Sequence, residues 1–538
     1  MTAPGDTYDA VVVGAGPNGL VAANRLVDAG WSVLVLEAQD TPGGAVRSDR
    51  EVDPEFVHDT FSAFYPLAAA SPALAAFGLE EHGLRWRHAP AVLGHPFPDG
   101  SWAMLHRDRE LTAAGLDTDQ DGEAWLRLCR QWDLLGPPLI RALLDPFPPV
   151  RAGLSTLATL PRAGGLGLVQ QLLMPVGDLA AVRFDGVRAA ILLAGNAGHS
   201  DIPLDAPGSG LLGILLTMLG QTVGYPVPEG GAGELSGALA RRLVARGGEL
   251  RCGERVVRVE VASGAATAVH TEGGARIVAR RAVVADVVAP HLFGGLVAEP
   301  QLPARVRRGM RAFRLDPGTV KVDWALDGPV PWSSPPPVPP GTVHVADSYA
   351  QLREALAQVA AGILPRHPFL LAGQMTTADP TRSPEGTESL WAYTHVPQHL
   401  VGDADEEGIE GRWDASERER FADRMQERME TLAPGFGSRV RARRVLGPRE
   451  LEARNANLVG GAVNGGTSQL HQQLVFRPVP GLGRAETGVA RLYLASASAH
   501  PGGGVHGAPG LNAARAALAH DRLSRIGLPI GRRLTRRR

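Results

Sequence analysis

The chain has 538 residues, with 54 lysine and arginine side chains against 56 aspartate and glutamate, and a formal net charge of −2 at pH 7. A chain of this length exceeds what one hydrophobic core organises, so we expect two or more domains. The near-neutral charge excludes a global field that would recruit nucleic acid. Cys129 and Cys252 lie far apart, which excludes a C-x-x-C redox pair and a cysteine-ligated metal cluster, and we predict no metal site.

The N-terminal stretch, "MTAPGDTYD", has no basic start and no apolar segment, so it predicts no secretory signal. No apolar run reaches the roughly 18 uncharged residues that a membrane-spanning helix needs. We therefore expect a cytoplasmic protein.

The first predicted element is the β-branched run "YDAVVV", which is typical of a strand buried on both faces of a parallel sheet. It is followed by a G-x-G-x-x-G spacing, in which the first glycine allows a tight turn, the second lets backbone approach a pyrophosphate, and the third lets helix and strand pack closely. A helix with an apolar stripe follows and is predicted to end near Gly30. The predicted nucleotide-binding residues of this turn are Gly14, Ala15, Gly16, Pro17 and Gly19.

The second predicted strand, "VLVLE", ends on Glu37, with Ala38 beside it. A carboxylate at this distance from the glycine turn is placed to accept hydrogen bonds from both ribose hydroxyls. Phosphate is expected at the N-terminus of the preceding helix, where N–H groups are unpaired and the dipole favours an anion. Strand, turn, helix, strand and acid together predict dinucleotide binding and leave NAD and FAD open.

A second glycine pair, Gly43 and Gly44, follows in "DTPGGAVRS", with Arg47 close behind. An ordinary loop is one interpretation. Directly after the ribose acid, however, the pair resembles the second phosphate motif of FAD enzymes of the amine oxidase and phytoene desaturase type. Those enzymes have arginine directly after the glycines, whereas this chain has Ala45 there, so the resemblance assigns the phosphate contact to Arg47 at a shifted position.

The segment from about residue 137 to 219 consists of short apolar helices punctuated by proline and glycine. Helices that line a cavity or pack in a core have this pattern. The alternative is a peripheral membrane-contact surface through which a lipid-like substrate enters. Residues 531–538 are predicted to form a solvated basic tail, for which contact with anionic lipid is the alternative.

Residues 226 to 261 predict a glycine loop, a helix and two strands that could complete the nucleotide sheet. The helix is predicted to bury Leu235, Leu239, Leu243 and Val244 on one face. No second G-x-G-x-x-G follows a strand here, so a separate NADPH site is not predicted. Val256, at the entry to the second strand, is expected to contact adenine through its backbone.

The C-terminal stretch "RLYLASASAHPGGGVHGAPGLNAARAALAHDRL" predicts a strand, a glycine-rich loop and an alanine-rich helix. Glycines let backbone lie flat against a planar ring, and a helix N-terminus near Gly510 to Asn512 would favour the negative charge of a reduced flavin. The predicted flavin-contacting residues are Gly503, Gly504, Val505 and Asn512.

These motifs, with "YPVPEGGAGELSGALA", "GTVKVDWALDGPVPW", "GTESLWAYTHVP" and "NLVGGAVNGGTSQLHQQLVFRP", resemble the phytoene desaturase-related FAD-dependent oxidoreductases over nearly the whole chain. The resemblance extends in particular to the group of pyridine nucleotide-disulfide oxidoreductase domain-containing protein 2. It implies an α/β fold in which a Rossmann-like FAD-binding domain is interrupted by a mixed α+β substrate domain. The expected FAD-binding segments are 1–75, 225–300 and 480–530, and the substrate domain takes 76–224 and 301–479.

The family implies noncovalent FAD and hydride transfer from a hydrophobic small molecule to flavin N5, which would make the protein a dehydrogenase or desaturase. Lys321 is the candidate catalytic residue, because its strand resembles the one in monoamine oxidases whose lysine holds a water at the flavin. A lysine at a sheet edge is the alternative. Trp391 and Tyr393 share one face of a strand and could line the pocket or belong to the core. A redox-neutral isomerase and a flavin-free binding protein like the Rab GDP-dissociation inhibitors are the alternative functions.

Overall fold

The computed structural model describes residues 6–405 and 408–526 of the chain. Within this part, two sheets of seven strands each form the centres of the structure. The predicted basic tail at 531–538 lies outside the described residues.

The strands of the two large sheets are numbered here in chain order. They are β1 (Thr7–Val13), β2 (Val33–Leu36), β3 (Ala91–Pro96), β4 (Trp102–Leu105), β5 (Glu249–Arg251), β6 (Val256–Ala262), β7 (Ala265–Thr271), β8 (Arg276–Ala285), β9 (Gly318–Leu326), β10 (Pro340–Val345), β11 (Leu370–Gln374), β12 (Glu388–Val396), β13 (Val440–Leu446) and β14 (Leu492–Leu494).

Helices of eight or more residues are numbered in the same way. They are α1 (Pro17–Val27), α2 (Asp119–Leu144), α3 (Val150–Ala163), α4 (Gly165–Leu173), α5 (Val176–Arg183), α6 (Val187–Ala197), α7 (Ser209–Thr222), α8 (Gly233–Ala245), α9 (Tyr349–Ala360), α10 (Ala415–Leu432) and α11 (Ala508–Arg525).

The first sheet has the order β6–β7–β8–β1–β2–β5, with β14 pairing beside β8. Strands β5, β2, β1, β8 and β14 run parallel, and β6 and β7 add an antiparallel edge. The sheet is apolar on both faces: Val11 and Val13 of β1 enter one core cluster, and Ala10 and Val12 enter the other. Helix α1 covers one face and packs against α8 and α11. This arrangement is a Rossmann-like parallel sheet.

The second sheet has the order β13–β9–β12–β11–β10–β3–β4. Its pairs are antiparallel except for β10 with β3, so it is mixed. On one face, Val320 and Val322 of β9 pack with Phe421 and Met425 of α10. The opposite face is covered by the apolar helices between β4 and β5, through a core cluster that includes residues of α2, α5, α6 and α7.

The predicted fold class, a Rossmann-like domain with a second mixed α+β domain, is confirmed. All strands of the first sheet lie within the segments expected for the FAD-binding domain, while the exact boundaries stay predictions. One local prediction is wrong. Val244 is 59% exposed, because α8 buries only the leucines of the predicted stripe. Helix α10 begins at Ala415, where the Asp414 carboxylate caps it by accepting from the Glu417 N–H.

Candidate functional site

The first glycine turn joins β1 to α1 at the carboxyl edge of the parallel sheet. Gly14 has φ of +96°, and a Cβ on Gly19 would lie 2.1 Å from the Gly14 carbonyl oxygen. Both positions therefore require glycine. Gly16 precedes α1 and has no side chain that could cap the helix N-terminus. Pro17 has no N–H, and the Gly19 N–H donates to the Asp286 carboxylate. Among the described residues, the Asn18 N–H is therefore the donor in the first turn of α1 that is open to an anion.

The second glycine pair packs directly against the first turn. The Gly43 N–H donates to the carbonyl of Ala15 at 2.9 Å. Gly44 has φ of +56°, and a Cβ there would lie 3.0 Å from the Gly16 Cα. The two motifs, about thirty residues apart in sequence, thus form one backbone cradle.

The Glu37 carboxylate, at the end of β2, is hydrogen-bonded to the same turn. One of its carboxylate oxygens accepts from the Ala15 N–H at 2.7 Å, and the other accepts from the Gln39 N–H at 2.9 Å. The carboxylate is buried at the edge of the groove described next. Each carboxylate oxygen has a further lone pair, so both can still accept a hydroxyl.

Two cavities open above the cradle. The larger, about 470 Å³, is lined among others by Gly14, Gly16, Leu36, Glu37, Ala38, Gly44, Arg255, Val256, Asp286, Gly295, Arg454, Asn455 and Asn457. The smaller, about 110 Å³, is lined among others by Gly16, Pro17, Asn18, Gly44, Ala45, Asp286, Asn455, Asn457, Leu458, Val463, Gly465, Ala497, Gly503, Gly504 and Val505. Because the two share five lining residues, they form one continuous groove that leads from the end of β2 to the C-terminal glycine loop.

Six of the predicted residues do not line either cavity: Ala15, Gly19, Gly43, Arg47, Lys321 and Asn512. The first three support the cradle through their backbone, as described above. The guanidinium of Arg47 donates to the carbonyl of Arg454 at 2.9 Å and lies 5.4 Å above the Phe61 ring. Burial lowers the pKa of Arg47. Its contact with a phosphate stays a prediction.

Lys321 lies on an inner strand of the second sheet, so the sheet-edge alternative is wrong. It is on β9, between β12 and β13, and is 3% exposed. Its ammonium donates to the carbonyl of Asp59 at 2.9 Å and to the carboxylate of Asp323, and it lies 5.8 Å from the centre of the Trp391 ring. Burial lowers the pKa of Lys321, while the Asp323 carboxylate opposes this shift. A catalytic role for Lys321 stays a prediction.

The C-terminal helix begins earlier than predicted. Helix α11 starts at Ala508, after Gly507 with φ of +69°, so the expected N-terminus near Gly510 to Asn512 is wrong. The His506 ring nitrogen Nδ1 accepts from the Ala508 N–H at 3.1 Å and thereby caps this helix. The Asn512 amide donates to the carbonyl of Leu144 at 3.0 Å. A flavin contact from Asn512 stays a prediction.

Asp286 was missed by the sequence analysis and lies at the centre of the groove. It follows β8, and its carboxylate accepts from the Gly19 N–H at 2.9 Å. A Cβ on Gly16 would lie 2.6 Å from the same carboxylate oxygen. Burial raises the pKa of Asp286 to about 7. The signal was present: "RRAVVAD" is a buried run that ends on an acid, as β2 does, and parallel strands end at a common edge.

Two further residues shape the floor of the smaller cavity. The buried Asp316 carboxylate accepts from the backbone N–H groups of Val463 and Asn464, both at 2.8 Å, and of Gly466 at 2.9 Å. The Arg477 guanidinium, 1% exposed, donates to the carbonyls of Asn464, Thr467 and Ala497. Together they hold the loop at 463–467 against the C-terminal glycine loop. The motif "NLVGGAVNGGTSQLHQQLVFRP" contains both the loop and Arg477, but its pattern gave no sign of this contact.

Across residues 6–405 and 408–526, no helix is both long and apolar enough to cross a membrane.

Comparisons with known proteins found one matching domain model and several relatives that match most of the chain. A profile of the NAD(P)-binding Rossmann-like domain matches residues 12–77. Mouse (Mus musculus) pyridine nucleotide-disulfide oxidoreductase domain-containing protein 2 is 30% identical, over 94% of this chain and 92% of its own length. The neurosporene-forming phytoene desaturase of Cereibacter sphaeroides is 24% identical, over 96% of this chain and 95% of its own. The chloroplastic prolycopene isomerase of Daucus carota is also 24% identical, over 93% and 77%.

Among solved structures, an oxidoreductase from Methanosarcina mazei matches with a TM-score of 0.61 at 15% identity. The match covers 95% of this chain and 99% of that chain. It supports the fold alone.

Proposed function

Since the chain belongs to the phytoene desaturase-like family of FAD-dependent oxidoreductases, we propose that it binds FAD noncovalently and dehydrogenates or desaturates a hydrophobic small molecule. The observation that carries the proposal is the continuous groove, whose two ends have the chemistry of the two halves of FAD. Bound FAD would accept a hydride at flavin N5.

The larger cavity fits the ADP half of the cofactor. Glu37 would accept the ribose hydroxyls, the Asn18 N–H and the dipole of α1 would bind the diphosphate, and Val256 would contact adenine. Glycine at position 16 leaves the space beside Asp286 that a Cβ would fill. A dinucleotide-binding domain has these features at its first strand and helix.

The smaller cavity fits the flavin half. Gly503 and Gly504 line this cavity with backbone that has no side chain. Asn18 also lines it, and its buried side-chain oxygen has no hydrogen-bond partner among the described residues. Asp316 and Arg477 would keep the facing loop in place. The chain's own contribution to the reaction would be to exclude water and to hold the substrate carbon over the ring.

The hydrophobic substrate class is supported by an apolar cluster that packs on the second sheet. Phe64 and Trp391 have ring centres 6.0 Å apart there and pack with Val227 and Met375. The relatives that are named for desaturation support the reaction class. We propose no nucleic acid partner.

A redox-neutral isomerase is the second candidate, because a relative of similar identity is named a prolycopene isomerase. A flavin-free binding protein would not need the glycine cradle, so the retained glycines oppose it.

The test is anaerobic mixing of the purified holoprotein with hydrophobic hydrogen donors such as dihydrocarotenoids or long-chain alcohols. An oxidoreductase bleaches the flavin absorbance stoichiometrically and yields an oxidised product. An isomerase yields rearranged product without net bleaching and requires pre-reduced flavin. If no donor causes bleaching and no product forms, both candidate functions are contradicted.

A further inference from the structure

A cluster of buried and half-buried polar rings covers the face of the second sheet toward α6 and α7. It comprises His199, directly after α6, His344 on β10, and Tyr393 and His395 on β12. The Nε2 atoms of His199 and His344 are 2.9 Å apart, and the rings of Tyr393 and His395 are 5.8 Å apart in an edge-to-face arrangement. The proposed chemistry of hydride removal gives none of these groups a task.

The cluster has more hydrogen-bonding capacity than the protein satisfies. Neither ring nitrogen of His395 makes a hydrogen bond of good geometry, although the residue is only 4% exposed. The Tyr393 hydroxyl and Nδ1 of His199 also make no hydrogen bond to a described residue, and both side chains are partly accessible. Buried polar groups in native proteins are nearly always paired. The buried ring nitrogens of His395 therefore lack a partner, and two accessible polar groups lie beside them.

The core does not fully enclose the cluster. Tyr393 lies on an inner strand of the sheet and packs with the core cluster beneath the helices, yet it remains partly accessible. His199 and Phe64 are partly accessible as well. The position of His344 is fixed by its close contact with α6: an added Cβ on Gly195 of this helix would lie 2.1 Å from His344 Nδ1. The His344 ring therefore packs closely against α6 and contacts His199 through Nε2.

Two segments connect the surroundings of the cluster to the smaller cavity. On one side, the Ser62 hydroxyl donates to the carbonyl of Ala45 at 2.8 Å, and Ala45 lines the cavity. On the other side, the Asp201 carboxylate accepts from the Ser468 N–H at 2.7 Å, just beyond the loop that contains Gly465. A molecule that reaches from the smaller cavity toward α6 would therefore meet the cluster.

The charged groups around the cluster limit which charge a bound ligand can carry. An ammonium group would need a free carboxylate, but Asp201 already accepts from Thr467 and Ser468, and Asp323 is paired with Lys321 and Arg444. An ionised carboxylate would need a free cation, and Lys321, which lies opposite Tyr393 on the neighbouring strand, is occupied by Asp323. Burial lowers the pKa of His199 to about 3, so its imidazole is neutral. A neutral group that both donates and accepts, or only accepts, matches these partners.

We propose that Tyr393, His395 and His199 bind a neutral oxygen-bearing group of the substrate, so that the substrate is a hydrophobic alcohol or carbonyl compound and not a hydrocarbon, an amine or a carboxylic acid. That this ligand is the substrate rests on the proposed function. The polar site itself does not, because it is built from side chains outside the nucleotide groove.

The experiment compares four ligands with one alkyl chain, octane, octan-1-ol, octylamine and octanoate, by equilibrium titration of the holoprotein at pH 7.5 without turnover. We expect octan-1-ol to bind at least about tenfold more tightly than each of the others. Tyr393→Phe, which removes only the unpaired hydroxyl, should reduce the advantage of octan-1-ol over octane severalfold. Tyr493→Phe is the matched control, because its hydroxyl pairs with His520 in the other domain, and it should leave the preference unchanged.

Equal binding of octane and octan-1-ol, tighter binding of the amine or the acid, or no binding of octan-1-ol would overturn the proposal. So would a Tyr393→Phe variant that is folded, as judged by circular dichroism, and retains the full preference. His199→Asn gives a second test if Tyr393→Phe does not fold. Because no turnover is measured, a protein that lacks redox activity but prefers octan-1-ol would contradict the proposed function and keep this inference.

Discussion

The two halves of this protein form their sites in different ways. In the Rossmann-like domain, the groove is made largely of backbone: glycines at turns, helix N–H groups and one carboxylate at a strand end. In the second domain, the inner face of the sheet carries large side chains, including the buried Lys321, Trp391 and His395 and the half-buried Tyr393. A backbone site tolerates no added atoms, whereas a side-chain site depends on charge balance and on hydrogen-bond partners. Substitutions should therefore have different effects in the two domains.

The largest expected effect comes from adding one methyl group to the backbone cradle. Gly19→Ala would place a Cβ 2.1 Å from the Gly14 carbonyl oxygen, so the turn and the start of α1 must separate. We expect FAD affinity to fall at least about 100-fold, equivalent to about 2.7 kcal/mol. The measurement is flavin content after purification, followed by titration with FAD.

Gly167→Ala is the matched control, because a Cβ at that glycine in α4 meets nothing within 4 Å. It should keep full flavin content. Normal FAD affinity in Gly19→Ala would mean that the cradle does not bind the cofactor.

The next effect tests whether Lys321 is structural or catalytic. Lys321→Met would remove the partner of the buried Asp323 and leave only Arg444 to balance that carboxylate. We expect the free energy of unfolding to fall by about 1–3 kcal/mol, measured by urea denaturation. If Lys321 acts only in structure, the rate at which oxygen reoxidises the reduced flavin stays the same.

A Lys321→Met variant of normal stability whose flavin reoxidises much more slowly would instead support the catalytic role. Arg353→Met is a control for loss of a surface charge, since its pair with Asp205 is exposed. That variant should change neither quantity.

A smaller effect concerns the one titratable side chain in the middle of the backbone groove. The pKa of Asp286 is raised to about 7, so its neutral form is favoured in the folded protein. Its contribution to stability is therefore present in full below about pH 4 and is lost as the pH rises through about 7. A bound diphosphate would raise this pKa further, so FAD affinity should weaken above pH 7, by at most about tenfold per pH unit.

Asp286→Asn keeps an acceptor for the Gly19 N–H and removes the charge, so the pH dependence of FAD affinity between pH 6 and 9 should flatten. The measurement is FAD titration of the apoprotein at each pH. A wild-type affinity that does not change with pH would contradict this role.

The smallest effect concerns the outer surface of the second domain. Val150, Leu154 and Leu157 recur on one face of α3, each more than 60% exposed, and Leu166 at the start of α4 is 83% exposed. Between residues 146 and 177 the chain has arginines but no acidic side chain. This supports the predicted peripheral membrane contact. Leu157→Ser should weaken cosedimentation with anionic phospholipid vesicles about fivefold, or by about 1 kcal/mol, and leave flavin content unchanged.

Val401→Ser serves as the control, because Val401 is 82% exposed but lies far along the chain from this face. If Leu157→Ser and Val401→Ser reduce cosedimentation equally, or if the wild type does not bind vesicles, the membrane contact is refuted.

The same contrast explains what the sequence could predict. Gly14, Gly16, Gly19 and Glu37 lie within one local unit, where each spacing has one geometric meaning, so the fold and the nucleotide cradle could be predicted. Asp286 could also have been predicted, because it follows a buried parallel strand and such strands end at a common edge of the sheet. Arg477, Asp316 and the histidine cluster could not be predicted, because their partners lie more than a hundred residues away or are backbone carbonyls that leave no pattern. Placement of Lys321 at a sheet edge failed for the same reason, since strand order is not local information.

The most direct test of the central claim is the visible absorption spectrum of the freshly purified protein, recorded before and after denaturation and removal of the polypeptide. Noncovalent FAD in the groove predicts the two absorption bands of oxidised flavin in the native protein and release of free FAD into the supernatant. A colourless protein that also fails to take up added FAD would contradict the claim. Flavin that stays attached to the denatured chain would contradict its noncovalent binding.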